Sequence, residues 1–123
     1  MTLSAPEPAG VARSWTFLTN HAHVLLVIAR DPTARLRDVA ETVGVTERAV
    51  HGIVADLETA GYLRRTRVGR RNHYTVNPAG HFRHPAEADR RIGDFLALFG
   101  VDATVDEGSD WSGQDEVTEG SAR

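Results

Sequence analysis

The sequence predicts a mainly α-helical chain with one small β-hairpin, built around a helix-turn-helix. A further amphipathic helix follows, and the stretches on either side lack periodic structure. Three observations carry this. Between Leu36 and Ala60, Ala40, Gly44 and Val50 fall four and then six residues apart within the apolar frame Val39, Val43, Val45 and Ile53. From Leu63 to Val76, two short runs flank a glycine and hold five arginines. Outside residues 13–100, proline, glycine and acidic residues replace any apolar repeat.

Met1 to Ala12, with Pro6, Pro8 and Gly10, has no period and is expected to be a disordered arm. Asn20 is placed to cap a helix through Ala29 that is apolar nearly all round, as suits a helix against which others pack; Asp31-Pro32 ends it. Thr33 to Leu36 is expected to add a short third strand beside the hairpin. The next helix starts at Leu36 and needs a small residue, Ala40, where its partner crosses it. Gly44 can take the positive φ that ends the helix and turns the chain, and Val45 plugs the corner. Thr46 then caps a second helix over residues 46–60, with Glu47 at its positive end. Ala49, Val50, Ile53, Val54 and Leu57 form its core-facing stripe, leaving Glu47, Arg48, His51, Gly52, Ala55 and Asp56 outward.

Gly61 closes that helix. Leu63–Arg67 and Asn72–Val76 read as strands joined through Val68-Gly69-Arg70-Arg71, with Gly69 supplying the turn conformation. Asn77-Pro78-Ala79-Gly80 is a turn, and Ala86 to Phe99 reads as a last helix. Ala88, Ile92, Phe95, Leu96 and Phe99 make its apolar stripe, suited to covering the core beside Trp15 and Phe17 or to packing against a second copy. From residue 101 onward, acidic, serine, glycine and threonine residues predominate. This stretch cannot bury enough apolar surface to offset the entropy of ordering and is expected to be a disordered acidic tail.

Composition narrows the function. With 123 residues, 41% of them apolar, the chain can build one modest core. The absence of cysteine excludes disulfides, thiolate metal sites and cysteine nucleophiles. The longest apolar run, Val24 to Ala29, is far too short to span a membrane, so a cytoplasmic protein without membrane partners is expected. All 14 basic residues are arginine. The net charge of −3 conceals an asymmetry: seven acidic residues against one arginine lie beyond residue 100, and residues 1–100 carry 13 arginines against 10 acids. No acidic residue occurs between Glu58 and Glu87.

That distribution points to a polyanion. Arg64, Arg65, Arg67, Arg70 and Arg71 offer forked donors matched to paired phosphate oxygens. Arg64 is first read as a solvated strand end, whereas Arg70 and Arg71 at a hairpin tip answer no folding need. On the helix, Thr46, Arg48 and His51 replace the long charged residues of an ordinary solvated face and can reach base edges or phosphates in a major groove.

A helix-turn-helix followed by Leu57…Ala60-Gly61-Tyr62-Leu63 and a basic hairpin resembles the winged helix-turn-helix of MarR-like and ArsR-like transcription regulators. The likeness spans Leu36 to Tyr74. It implies a winged-helix DNA-binding domain over 13–85, a helix over 86–100 that covers the core or dimerises, and double-stranded DNA as partner. Carried over by position, the DNA-binding residues would be Thr46, Arg48, His51 and Gly52 on the helix and Arg67, Arg70, Arg71, Asn72 and His73 on the wing. Gly52 departs from the pattern, since a polar or basic residue is common there. Ile92, Phe95, Leu96 and Phe99 would join two copies in a homodimer on paired half-sites.

Three other readings compete. Six histidines invite a metal-sensing repressor, but His21 and His23 are two apart on a helix, and His81 and His84 lack a cysteine or carboxylate pair, so no metal site or cofactor is assigned. A winged helix can also bind proteins or RNA; the arginine-rich hairpin favours duplex DNA. No Ser-His-carboxylate set, phosphate-binding glycine loop or paired carboxylates outside the acidic stretch argues for an enzyme.

Overall fold

In the computed structural model, which describes residues 15–101, the order is α1 (Asn20–Arg30), α2 (Leu36–Val43), α3 (Glu47–Thr59), β1 (Leu63–Val68), β2 (Arg71–Val76) and α4 (Ile92–Leu98), with a 3₁₀ turn at Pro85–Glu87. The arm over 1–12 and the acidic stretch beyond 101 lie outside the described residues. Thr19, one residue before the expected Asn20, caps α1 by accepting the Ala22 N–H at 3.2 Å. Val24, Leu25, Leu26 and Ile28 bury the face of α1 that receives α2 and α3.

The α2–α3 corner has the expected chemistry. Gly44 adopts φ +90°, and its N–H closes on Ala40 O at 2.8 Å. Ala40 is buried at the crossing and Val45 is half-buried behind it. The Thr46 hydroxyl accepts the Ala49 N–H at 3.0 Å. Val50, Ile53, Val54 and Leu57 are buried, but Ala49, expected in their stripe, is exposed. It lies about 100° round the helix from Val50, past the edge covered by the other helices.

β1 and β2 pair antiparallel from Leu63↔Val76 to Val68↔Arg71, one residue further than expected at the tip, leaving a two-residue Gly69-Arg70 turn. Gly69 has φ +64° and Arg70 does not share the left-handed region, the pattern of a turn with glycine first. The anticipated third strand at Thr33–Leu36 is absent, and among the described residues the sheet has two strands. The chain turns there instead: Ala34 N–H bonds Asp31 O, and α2 begins at Leu36. Pro32 has no N–H to offer a ladder, so the segment keeps one backbone bond to the hairpin, Tyr74 N–H to Pro32 O at 2.9 Å.

Beyond the hairpin, Asn77 is a buried junction. Its Nδ2 donates to Gly61 O at 3.0 Å, its Oδ1 accepts from Ala79 N, and its own N–H bonds Tyr62 O. Tyr62 donates its hydroxyl proton to His81 O. Burial pushes the Tyr62 pKa up, opposed by the Arg83 charge, so the hydroxyl stays protonated and remains a donor at neutral pH. α4 is shorter than the expected 86–99 helix. Residues 80–92 instead form a closed loop, held by Phe82 N–H to Arg90 O and Ile92 N–H to Gly80 O, and those bonds occupy backbone groups that a longer helix would need. Ile92 and Leu96 are buried in the chain's own core, while Phe95 is half-buried edge-on between Phe82 and Phe99. Trp15 and Phe17, expected beside this stripe, pair edge-to-face but are 76% and 90% exposed. Among the described residues no helix is long and apolar enough to cross a membrane.

Candidate nucleic-acid interface

Burying Val50, Ile53, Val54 and Leu57 fixes how α3 is rotated, and this turns Thr46, Glu47, Arg48, His51 and Gly52 to solvent. Arg48 makes no hydrogen bond or ion pair among the described residues, so its five donors are free for a ligand. The Thr46 hydroxyl accepts as helix cap and keeps its own proton to donate. His51 approaches Glu47 at 3.4 Å, an exposed pair one turn apart that adds little to stability. Glu47 also puts a carboxylate on this exposed face, at the N-terminal end of α3 where it complements the helix dipole.

The hairpin divides its arginines between two faces. Directly opposed residues share a face, so Arg65 and Arg67 lie with Tyr74 and Asn72, whereas Val68 and Arg71 lie on the other with Thr66 and His73. Arg65 holds Glu58 through both guanidinium and carboxylate forks at 3.2 Å, tying β1 to the end of α3. Arg67 Nε bonds Gly69 O at 3.3 Å and stiffens the turn. Arg71 donates to Thr33 O at 3.0 Å, which gives it a folding role the sequence did not suggest: it pins β2 to the α1–α2 link. Arg70 is exposed and has no partner among the described residues. Arg64, read as a solvated strand end, is half-buried and partnered.

Between the first half of α3 and the wing lies an open cleft of about 340 Å³. It brings together four of the expected residues, His51, Arg70, Arg71 and Asn72, from elements about twenty residues apart in the chain. Thr46, Arg48, Gly52, Arg67 and His73 do not line it. All but Gly52 carry polar side chains, and all five are exposed. Arg35 also lines the cleft and was not anticipated as a site residue. Its signal was available: Arg35 and Arg37 form a second basic pair at the start of α2. Tyr74 forms part of the wall, with its hydroxyl buried and unpartnered.

Gly52 has open space where a Cβ would stand. Gly52→Ala is therefore expected to raise unfolding free energy by about 0.5–1 kcal/mol, measured by chemical denaturation. A loss of duplex binding alongside that gain would mean the bare α3 backbone approaches the ligand; unchanged or tighter binding would remove Gly52 from the interface.

The remaining expectations fall away from this face. The ring nitrogens of His81 and His84 engage the backbone at Ala88 O (2.8 Å) and Ala86 N (3.0 Å), and His21 reaches Asp56 at 2.8 Å across α1 and α3. Among the described residues no three histidine or carboxylate groups are placed to hold a metal ion. Of the four residues expected to join two copies, Ile92 and Leu96 face inward. Phe99, at 39% exposure, and the neighbouring Leu98, at 77%, are the large apolar residues of this end left to solvent.

The arrangement of two packed helices, a glycine corner and an antiparallel basic wing is a winged helix-turn-helix. Residues 16–71, just under half of the chain, match the family model described as MarR family. The matched span runs from before α1 to the first residue of β2, and so takes in α3 and most of the wing. No curated protein and no solved structure matches the chain.

Proposed function

We propose that the chain is a sequence-specific, double-stranded DNA-binding transcription regulator of the MarR-like kind. α3 enters the major groove, where Arg48 and His51 meet base edges and the Thr46 hydroxyl bonds a phosphate. Arg67, Arg70, Arg71, Asn72 and His73 meet the backbone or minor groove alongside. The observation that carries this reading is the pairing of two exposed cationic groups without partners among the described residues, Arg48 on α3 and Arg70 at the wing tip, on elements that flank a common cleft. Folding alone leaves both without a role.

The regulator would act as a cytoplasmic homodimer. Leu98 and Phe99 supply exposed apolar area for a joint, while Ile92, Leu96 and the half-buried Phe95 hold α4 in place behind them. Neither an enzyme nor a bound cofactor is part of this proposal.

Salt dependence tests the phosphate half of the reading. Each arginine on a phosphate releases counterions, so Arg70→Ala is expected to weaken binding to all duplexes alike. It should also lower the slope of log K against log salt by about one unit. A slope unchanged by the substitution would remove Arg70 from the phosphate contacts; binding insensitive to salt in the unaltered chain would overturn the proposal.

A further inference from the structure

Four guanidinium groups line the cleft between α3 and the wing, those of Arg35, Arg65, Arg70 and Arg71, and among them stands a single carboxylate, Glu47. Glu47 is the first residue of α3, with its side chain 53% exposed. Among the described residues it forms no ion pair with any arginine. Its one partner is His51 Nε2 at 3.4 Å, longer than the about 2.7–3.2 Å of a well-made hydrogen bond. The carboxylate is therefore open to a ligand.

Neither folding nor phosphate binding accounts for it. Thr46 already caps α3 through the Ala49 N–H, so Glu47 adds only the dipole contribution of one exposed charge. A cleft that served phosphates alone would be weakened by a carboxylate, because like charges closer than the Debye length, about 10 Å at 0.1 M salt, repel. What the carboxylate can do, and the arginines cannot, is accept a hydrogen bond. In a major groove guanine shows N7 and O6, both acceptors, and thymine shows O4 beside a methyl group. Adenine shows a donor next to the acceptor N7. Cytosine alone shows a donor, its N4 amino group, with no acceptor on its own edge.

We propose that Glu47 is a sequence-specificity residue: its carboxylate accepts from cytosine N4 in the preferred duplex and repels duplexes that offer no such donor. The inference rests on the DNA-binding reading and adds a base assignment to it. In a helix-turn-helix the N-terminal residues of the second helix meet base edges, and Glu47 and Arg48 are the first two after the cap of α3. An arginine favours guanine O6 and N7. The adjacent charges thus divide the reading: Arg48 favours guanine and gains from any phosphate, whereas Glu47 favours cytosine and loses near every phosphate.

The test is Glu47→Gln in the full chain. Glutamine keeps the shape, removes the charge, and pairs with adenine N6 and N7. Selection from a random duplex pool is run with the unaltered chain and the variant, and affinities are measured for duplexes carrying each base at the position that changes. One position of the selected site should move from cytosine to adenine. The ratio of affinities for those two bases should shift about tenfold in favour of adenine. Unrelated duplexes should bind the variant about two- to threefold more tightly at about 0.1 M salt. That gain should fade as salt is raised, while the altered base preference persists wherever binding is measurable. Glu47→Ala should lose the preference at the same position without acquiring one for adenine.

A site unchanged at every position, with all duplexes gaining alike, makes Glu47 a general repulsive charge and overturns the proposal. Equal losses on all duplexes reduce it to a helix-end residue and overturn it as well. A change at a position that held any base other than cytosine overturns the base assignment. The two readings fail in different places. If the unaltered chain selects no site, duplex reading itself is defeated and the role of Glu47 with it; a selected site that both substitutions leave intact defeats the role of Glu47 alone.

Discussion

Arg48→Ala is expected to lower affinity for the preferred duplex by about 1–3 kcal/mol, up to roughly a hundredfold, and to leave affinity for unrelated duplexes nearly unchanged. The expectation follows from where Arg48 stands. It is exposed in the first turn of α3, engages no protein group among the described residues, and shares the free face with His51 and Gly52. A guanidinium so placed in a major groove can make two parallel bonds to one guanine, and alanine would leave those acceptors unpaired. The measurement is a competition titration of both chains against a preferred and a scrambled duplex. An equal loss on the two would make Arg48 a phosphate contact.

Leu63→Ala is expected to cost about 2–5 kcal/mol of stability, a large share of the roughly 5–15 kcal/mol typical of a small domain. Leu63 is fully buried at the start of β1, opposite Val76, and directly follows the Gly61–Tyr62 turn that leaves α3. It is the apolar anchor from which the otherwise polar hairpin projects; the next five residues of β1 are only half-buried or exposed. Removing its side chain opens a cavity where α3 and the wing join, so the wing should lose its position relative to α3 as the fold weakens. Denaturant titration reads the effect directly. A loss below about 1 kcal/mol would mean that the site collapses around the smaller side chain.

The helix-turn-helix was legible because its constraints are local. Gly44 needs a left-handed φ, Thr46 needs an amide three residues on, and Ala40 must be small where α2 and α3 meet; each condition shows in a single residue type at a fixed spacing. The hairpin was legible for the same reason, through Gly69 and the flanking strand residues. What escaped depended on partners distant in sequence. The third strand failed because Asp31 and Ala34 close a turn, which apolar content at Thr33–Leu36 could not reveal. The last helix lost its first turns to backbone bonds between residues 80–82 and 90–92. Asn77 reads as a turn residue and is one, but its buried bond to Gly61 joins it to the end of α3, sixteen residues back.

The candidate site divides along the same line. Exposure of Arg48 and His51 follows from the phase of the α3 stripe, which the sequence fixes to within one residue; Ala49 marks the error. The wing arginines were visible as a cluster, but their division of labour was not. Arg65 holds Glu58, Arg71 holds Thr33 O, and Arg70 is left without a partner among the described residues, a distinction that rests on contacts across 7 and 38 positions of sequence. Arg35 joins the cleft only because the α1–α2 link is drawn against β2.

The most direct measurement is selection of bound duplexes from a random pool by the purified chain in dilute buffer. Enrichment of a palindromic sequence, with half-sites one helical turn or a multiple of it apart, is the expected result, because two copies of α3 related by a two-fold axis must read the same bases on opposite strands. A pool that stays random after repeated rounds, or a chain that retains no duplex at all, would contradict the placement of α3 in a major groove.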